Sequence, residues 1–241
     1  MSLETAENRQ RSAHQIVFVP GSYSPGSVWD LLAEELRKRG FGVTVAELPS
    51  NSGSASDGLH ADGCYAEALL NDLNESTVIV GHSYGGMVLS EVAGHPNVTH
   101  AVYIAAFVPV VGVSMRDLVG GEFPAWVVPD PTNTFYSVNP AEAVHIMVGN
   151  AGSAELDKSF AGNLVPQSQA AGSEPSTTKG WGSTPVSYLI TTDDRAMPTF
   201  AQEAMAASLG ASVSTVATPH FPGLSERNVV SDLIEASAAK P

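Results

Sequence analysis

A chain of 241 residues with 43% hydrophobic content is long enough for one sizeable domain with a buried core. Its 25 acidic against 11 basic residues leave a formal charge of −14, which disfavours nucleic-acid phosphates and anionic membrane surfaces as partners. The single cysteine, Cys64, excludes an intramolecular disulfide and stands in no metal-type cysteine spacing, so no metal site is expected.

The amino terminus, M-S-L-E-T-A-E-N-R-Q-R-S, is polar and lacks the apolar stretch of a signal peptide, which together with the lone thiol fits a cytoplasmic protein. No apolar run approaches the roughly 18 residues of a membrane-spanning helix. Apolar runs rich in β-branched residues then alternate with segments of helical spacing, the pattern of an α/β fold. Residues 15–19 form the first strand, a Gly/Pro loop follows, and Trp29, Leu32 and Leu36 share a helical face ending near Gly40. A second strand spans 41–48, a helix carries Tyr65, Leu69 and Leu70, and a third strand covers 77–80 without polar alternation. Such a strand is buried on both faces, as in a mostly parallel sheet flanked by helices. Residues 98–108, 186–190 and 213–217 supply three more strands. A helix with Met205 and Leu209 separates the last two, and one with Val229, Val230, Leu233 and Ile234 ends the chain.

Between residues 111 and 184 the alternation fails. This long stretch is dense in Gly, Ser and Pro but carries Phe123, Trp126, Phe135, Phe160 and Trp181, an aromatic content that disfavours disorder. It reads as a cap inserted into a core formed by residues 1–110 and 185–241.

The sequence G-H-S-Y-G-G at 81–86 lies between a strand end and a helix start. A serine flanked at two residues' distance by glycines there forms a nucleophile elbow, a tight turn that presents the Ser83 hydroxyl above the sheet edge. A serine hydroxyl is a weak nucleophile near neutral pH, so a histidine must take its proton and a carboxylate must orient that histidine. Of the seven histidines, only His145 and His220 follow Ser83 beyond the adjoining helix and strand. His145 lies in the cap, whereas His220 follows the last strand, at the sheet end where Ser83 stands, and is the expected general base. His82 points away from the nucleophile and reads as structural; His14, His60, His95 and His100 have no supporting context. The acid is Asp193 or Asp194 in Y-L-I-T-T-D-D-R-A-M-P; the other solvates the loop or pairs with Arg195. Backbone N–H groups of Tyr84 and of Ser22, which follows the permissive Gly21, are placed to receive an oxyanion.

These segments resemble the α/β-hydrolase superfamily, and within it a small-capped group of salicylate-binding-type methyl esterases, hydroxynitrile lyases and bacterial esterases. The likeness is carried by V-P-G-S-Y-S-P-G-S-V-W, V-I-V-G-H-S-Y-G-G-M-V, Y-I-A-A-F-V-P, L-V-P-Q-S, the Asp193–Asp194 segment and H-F-P-G-L-S, and it runs over nearly the whole chain. The resemblance implies the α/β-hydrolase fold and selects Asp194, the carboxylate before a basic residue, as the acid. Two positions depart from the pattern. Pro20-Gly21 stands where the group often has His-Gly, and the threonine and lysine characteristic of the lyases are replaced by Gly21 and Phe221. Hydrolysis of a small apolar or aromatic ester, without a cofactor, is therefore expected. Candidate pocket residues are Gly21, Phe107, Trp126, Phe135 and Phe221, although aromatics in the cap serve equally as its own core. A lactonase, a carbon–carbon bond hydrolase, a lyase-like enzyme and a ligand-binding relative remain the rival readings, and a homodimer is left open.

Overall fold

A computed structural model describes residues 15–149, 153–178 and 180–239; the amino-terminal stretch read for a targeting signal, with His14, lies outside the described residues. Strand β1 (Gln15–Val19) leads through a 3-10 turn at 26–29 to α1 (Asp30–Lys38), β2 (Gly42–Val45), α2 (Leu59–Leu73), β3 (Thr77–His82), α3 (Gly85–Val92) and β4 (Val98–Ile104). The segment that follows holds α4 (Met115–Leu118), β5 (Val127–Pro129), β6 (Phe135–Val138) and α5 (Pro140–Ala143), which continues into one π-helical turn (Val144–Val148). After α6 (Ala154–Asn163), β7 (Gln167–Ser168) and α7 (Gln169–Ser173), the core resumes with β8 (Val186–Thr191), α8 (Thr199–Leu209), β9 (Ser212–Val216), α9 (Pro222–Ser225) and α10 (Arg227–Ala238).

Six strands pair in the order β2-β1-β3-β4-β8-β9, every neighbouring pair parallel. Their side chains alternate between two cores, which explains why the sequence shows no polar alternation. Ile16, Phe18, Val78 and Val80 pack with Leu32 and Leu36 of α1 and Val230 and Ile234 of α10. Val17, Val19 and Ile79 pack on the opposite face with Ala66 and Leu70 of α2 and Met87 to Leu89 of α3. Each such side chain, removed from water, stabilises the fold by roughly 1.5–3 kcal/mol. The α/β-hydrolase fold expected from the sequence is the one observed. Chain order reverses between β1 and β3, so the loops leaving their carboxyl ends diverge and open a crevice there.

Three strands end earlier than the apolar pattern predicts, β9 by one residue at Val216. β2 stops at Val45, because after the bond from Ala46 N–H to the Phe18 carbonyl (2.8 Å) the Glu47 carboxylate turns to accept from Gly26 N–H (3.2 Å). β4 stops at Ile104, because Ala105 takes a left-handed backbone (φ 42°) and the Tyr188 hydroxyl occupies both peptide groups of Ala106. That turn brings Phe107 N–H to within 3.0 Å of the Ser83 carbonyl.

Residues 111–184 show no regular strand–helix alternation in sequence. The structure builds there a three-stranded antiparallel sheet, β5-β6-β7, and short helices. Strands of two to four residues carry too little periodicity to be read from sequence alone. Val165 N–H donates to the Tyr23 carbonyl (3.0 Å) and Phe221 N–H to the Met147 carbonyl (3.1 Å), tethering this segment to the loops after β1 and β9. Among the described residues no helix is long and apolar enough to cross a membrane.

Candidate active site

The turn after β3 forces Ser83 into the left-handed region, with φ 51°. Its N–H donates to the Ile104 carbonyl (3.2 Å), and its own carbonyl accepts from Gly86 (3.0 Å) and Phe107 (3.0 Å), so backbone bonds fix the strained residue. Gly85 is required because a Cβ there would strike the Val19 carbonyl oxygen. α3 begins immediately after Tyr84, so the positive end of its dipole lies at the serine turn.

His220 and Asp194 meet beside the cavity that Ser83 lines. His220 Nδ1 lies 2.7 Å from Asp194 Oδ2, and the two side chains are 2% and 0% exposed. Asp194 Oδ1 accepts from the N–H groups of Ala196 and Met197 at 2.8 Å each, and Oδ2 accepts from Thr191 Oγ1 (2.8 Å) and Gln202 Nε2 (3.0 Å). Burial alone would raise the Asp194 pKa, but His220 and these donors outweigh it and hold the carboxyl below its ordinary range. Asp193, its neighbour, is exposed, and its N–H serves the Thr218 carbonyl (3.2 Å). Of the two roles expected for the second aspartate, solvating the loop or pairing with Arg195, its exposure fits the first, and Arg195 donates to the carbonyl of His145 at 3.2 Å.

His82 is buried, and its Nε2 lies 2.8 Å from the His220 carbonyl. A carbonyl can only accept, so Nε2 carries the proton. Burial, followed by the neighbouring His220, pushes the His82 pKa well down and keeps the ring neutral. His145 is exposed on the insertion, and His100 is buried against Ser187 at 2.9 Å.

Ser83, His220 and Ser22 line one small cavity of about 70 Å³. Phe107 and Trp126 form part of its wall, together with Phe123, another aromatic of the 111–184 stretch, and with Met115, Met147 and Met197, which no sequence motif marks. Phe135 and Phe221 are not in that wall. Phe135 belongs to β6, and Phe221 is buried behind the histidines, with ring centroids 4.2 Å from His82 and 5.1 Å from Phe160. Gly21 is likewise not in that wall, though an added Cβ there would stand 2.9 Å from Ser83 Cβ.

Gln202 was also not singled out. Fully buried on α8, its amide nitrogen serves Asp194, the Thr191 carbonyl (3.1 Å) and the Met197 carbonyl (2.8 Å), and its oxygen accepts Thr191 N–H (3.0 Å). A signal existed: Gln202, Ala206 and Leu209 recur at helical spacing, which places an amide on a buried face. Among the described residues no group of three or more His, Cys, Asp or Glu side chains is placed to hold a metal ion.

Similarity to known proteins runs along the same span. A probable hydrolase, R7, of Phoma sp. is 30% identical over 190 residues, covering 74% of this chain and 77% of that protein. Methylesterase 10 of Arabidopsis thaliana is 32% identical over 117 residues, covering 44% and 42%. The crystal structure of a pyrethroid hydrolase from Sphingobium faniae JZ-2 superposes with a TM-score of 0.79 at 19% identity, covering 94% of this chain and 98% of that one, a likeness of fold. Residues 16–233, which include the serine turn, the buried aspartate and the histidine it contacts, match the alpha/beta hydrolase family, and the chain belongs to it.

Proposed function

We propose that this protein is a serine hydrolase that cleaves small apolar or aromatic carboxylic esters. The observation that carries the reading is the buried 2.7 Å contact between His220 and Asp194, opening onto a cavity that Ser83 shares with an apolar wall. Asp194 holds Nδ1 of His220 protonated, which leaves Nε2 to take the Ser83 proton as Oγ attacks the ester carbonyl carbon. The N–H groups of Ser22 and Tyr84 receive the carbonyl oxygen as it becomes an oxyanion. The C–O bond to the alcohol then breaks, His220 returns the proton to the departing alcohol, and water repeats the cycle on the acyl-enzyme. Residues 111–184 act as the cap, since Met115, Phe123, Trp126 and Met147 from this segment form the apolar wall. The relatives named hydrolase and methylesterase support the same chemistry.

Hydrolysis of p-nitrophenyl esters of rising acyl length, aryl methyl esters and lactones tests this reading. Turnover should favour short or aromatic esters and stop when a fluorophosphonate labels Ser83. Absence of turnover across the whole panel, with no labelled serine, would refute it.

Gly21→Ala is a second test. The new methyl group would press on Ser83 Cβ at 2.9 Å and His82 Nδ1 at 3.0 Å, displacing the nucleophile from the histidine. A shift of this kind is expected to lower kcat by about 10²-fold, in a protein that circular dichroism shows to be folded. Unchanged kcat would mean that the β1 loop yields without disturbing the serine.

A further inference from the structure

A buried carboxylate that the proposed reaction does not use anchors the serine turn from below. Asp62 on α2 is fully buried, and among the described residues no cationic side chain pairs with it. Its Oδ2 accepts the Tyr84 hydroxyl at 2.7 Å, and its Oδ1 accepts Ser50 N–H at 2.9 Å. Ser50 Oγ in turn accepts from Gln167 Nε2 of β7 at 3.2 Å. A continuous chain of hydrogen bonds thus joins the insertion to the residue that follows Ser83.

Stability alone gives no reason for a charge at this place. An ionised carboxylate without a cation is costly to bury, and an apolar side chain on α2 would pack the same space at lower cost. What the carboxylate supplies is direction. Tyr84 is fully buried and precedes the first turn of α3, so holding its phenol at one end restricts rotation of the peptide at the other.

We propose that Asp62 is a positioning residue for ester hydrolysis: by accepting the Tyr84 hydroxyl it fixes the Tyr84 N–H that receives the oxyanion, and through Ser50 and Gln167 it makes that placement depend on the seated cap. The proposal rests on the assignment of Ser83 as nucleophile and Tyr84 N–H as oxyanion donor. Burial raises the Asp62 pKa to about 6 against the opposing bonds from Ser50 and Tyr84, with the Asp57 charge adding to the rise. Glu174, whose carboxylate accepts His60 N–H at 3.0 Å, adds negative charge toward Tyr84. Above this pH both Asp62 oxygens accept. Below it one oxygen carries a proton, and one of the two contacts must be remade.

The test compares wild type, Asp62→Asn and Tyr84→Phe by kcat and KM on a p-nitrophenyl ester, by affinity for benzeneboronic acid, which forms a tetrahedral adduct on serine, and by Tm. Asp62→Asn is expected to lower both kcat and boronate affinity by about tenfold, a fraction of the loss of a whole oxyanion donor. KM should stay within about twofold, and Tm at pH 8 should not fall, because a buried charge has been removed. The ratio of wild-type to variant kcat should approach one as pH drops through about 6. A ratio near one at pH 8, or losses confined to KM or Tm, overturns the proposal. If Asp62→Asn does not fold, Tyr84→Phe decides by the same division between kcat and KM. Boronate affinity identical in wild type and Ser83→Ala would instead show that the serine assignment itself has failed.

Discussion

Ser83→Ala is expected to lower kcat for ester hydrolysis by about 10⁶-fold while leaving the fold intact. The local geometry accounts for both halves of that result. The bonds that hold residue 83 run from its N–H to Ile104 and from Gly86 and Phe107 to its carbonyl, so deleting Oγ removes none of them. Alanine keeps the Cβ and therefore bears the same left-handed strain that serine bears at φ 51°. Tm should move by no more than about 2 °C, the scale of a surface-like ΔΔG near 0.5 kcal/mol. The activity that persists, about 10³–10⁴-fold above water, would come from the N–H groups of Ser22 and Tyr84 and from binding. Steady-state kinetics and calorimetry on one preparation check both numbers. Activity close to wild type in a folded variant would assign the chemistry to another group.

The strands of the core were legible because parallel strands covered on both faces read as unbroken apolar runs, and β1 is observed at its predicted bounds. Strand ends were less legible. The apolar run continues through Ala105, Ala106, Phe107 and Val108, yet β4 stops at Ile104, because the Tyr188 hydroxyl, distant in sequence, captures the Ala106 peptide groups. Helix faces were read only in part. Leu70 belongs to the core as expected, but Tyr65 and Leu69 are only partly buried, and the buried face of α2 includes a polar residue, Asp62, that a search for apolar spacing passes over.

The residues of the candidate site were legible wherever a local turn marks them. Gly81, Ser83 and Gly85 advertise a strained connection, and the loops bearing Asp194 and His220 follow strands that all end at one side of the sheet. The pocket wall was not legible in this way. Met115, Phe123 and Met147 come from a stretch of short elements whose placement depends on contacts such as the Phe221–Met147 backbone bond, and nothing nearby in sequence announces their place in the wall. Phe221 illustrates the converse. Adjacent to His220 in sequence, it turns its ring away from the cavity to pack against His82 and Trp29.

Asp194→Asn is expected to lower kcat by about 10⁴-fold, and Asp193→Asn by less than about twofold, since the Asp193 side chain is exposed. The surroundings of residue 194 dictate the large effect. Oδ1 faces two N–H donors, from Ala196 and Met197, so an asparagine must place its own oxygen there and its NH₂ at the Oδ2 position. That NH₂ then meets His220 Nδ1, which can only accept from it, and the imidazole is driven into the tautomer with its proton on Nε2. In this form it cannot take a proton from Ser83. The same NH₂ also confronts Gln202 Nε2, which the Thr191 and Met197 carbonyls keep from turning, so the variant should be less stable at neutral pH. Because the Asp194 pKa is depressed in the folded state, its stabilising contribution is present above the ordinary carboxylate value of 3.8 and is lost as pH falls through the depressed one. The Tm difference between wild type and Asp194→Asn should therefore be widest near neutral pH and narrow below about pH 4. Calorimetry across that range, with kcat measured for both asparagine variants, checks the assignment. A large kcat loss at residue 193 with little at 194 would identify Asp193 as the partner of the histidine during turnover.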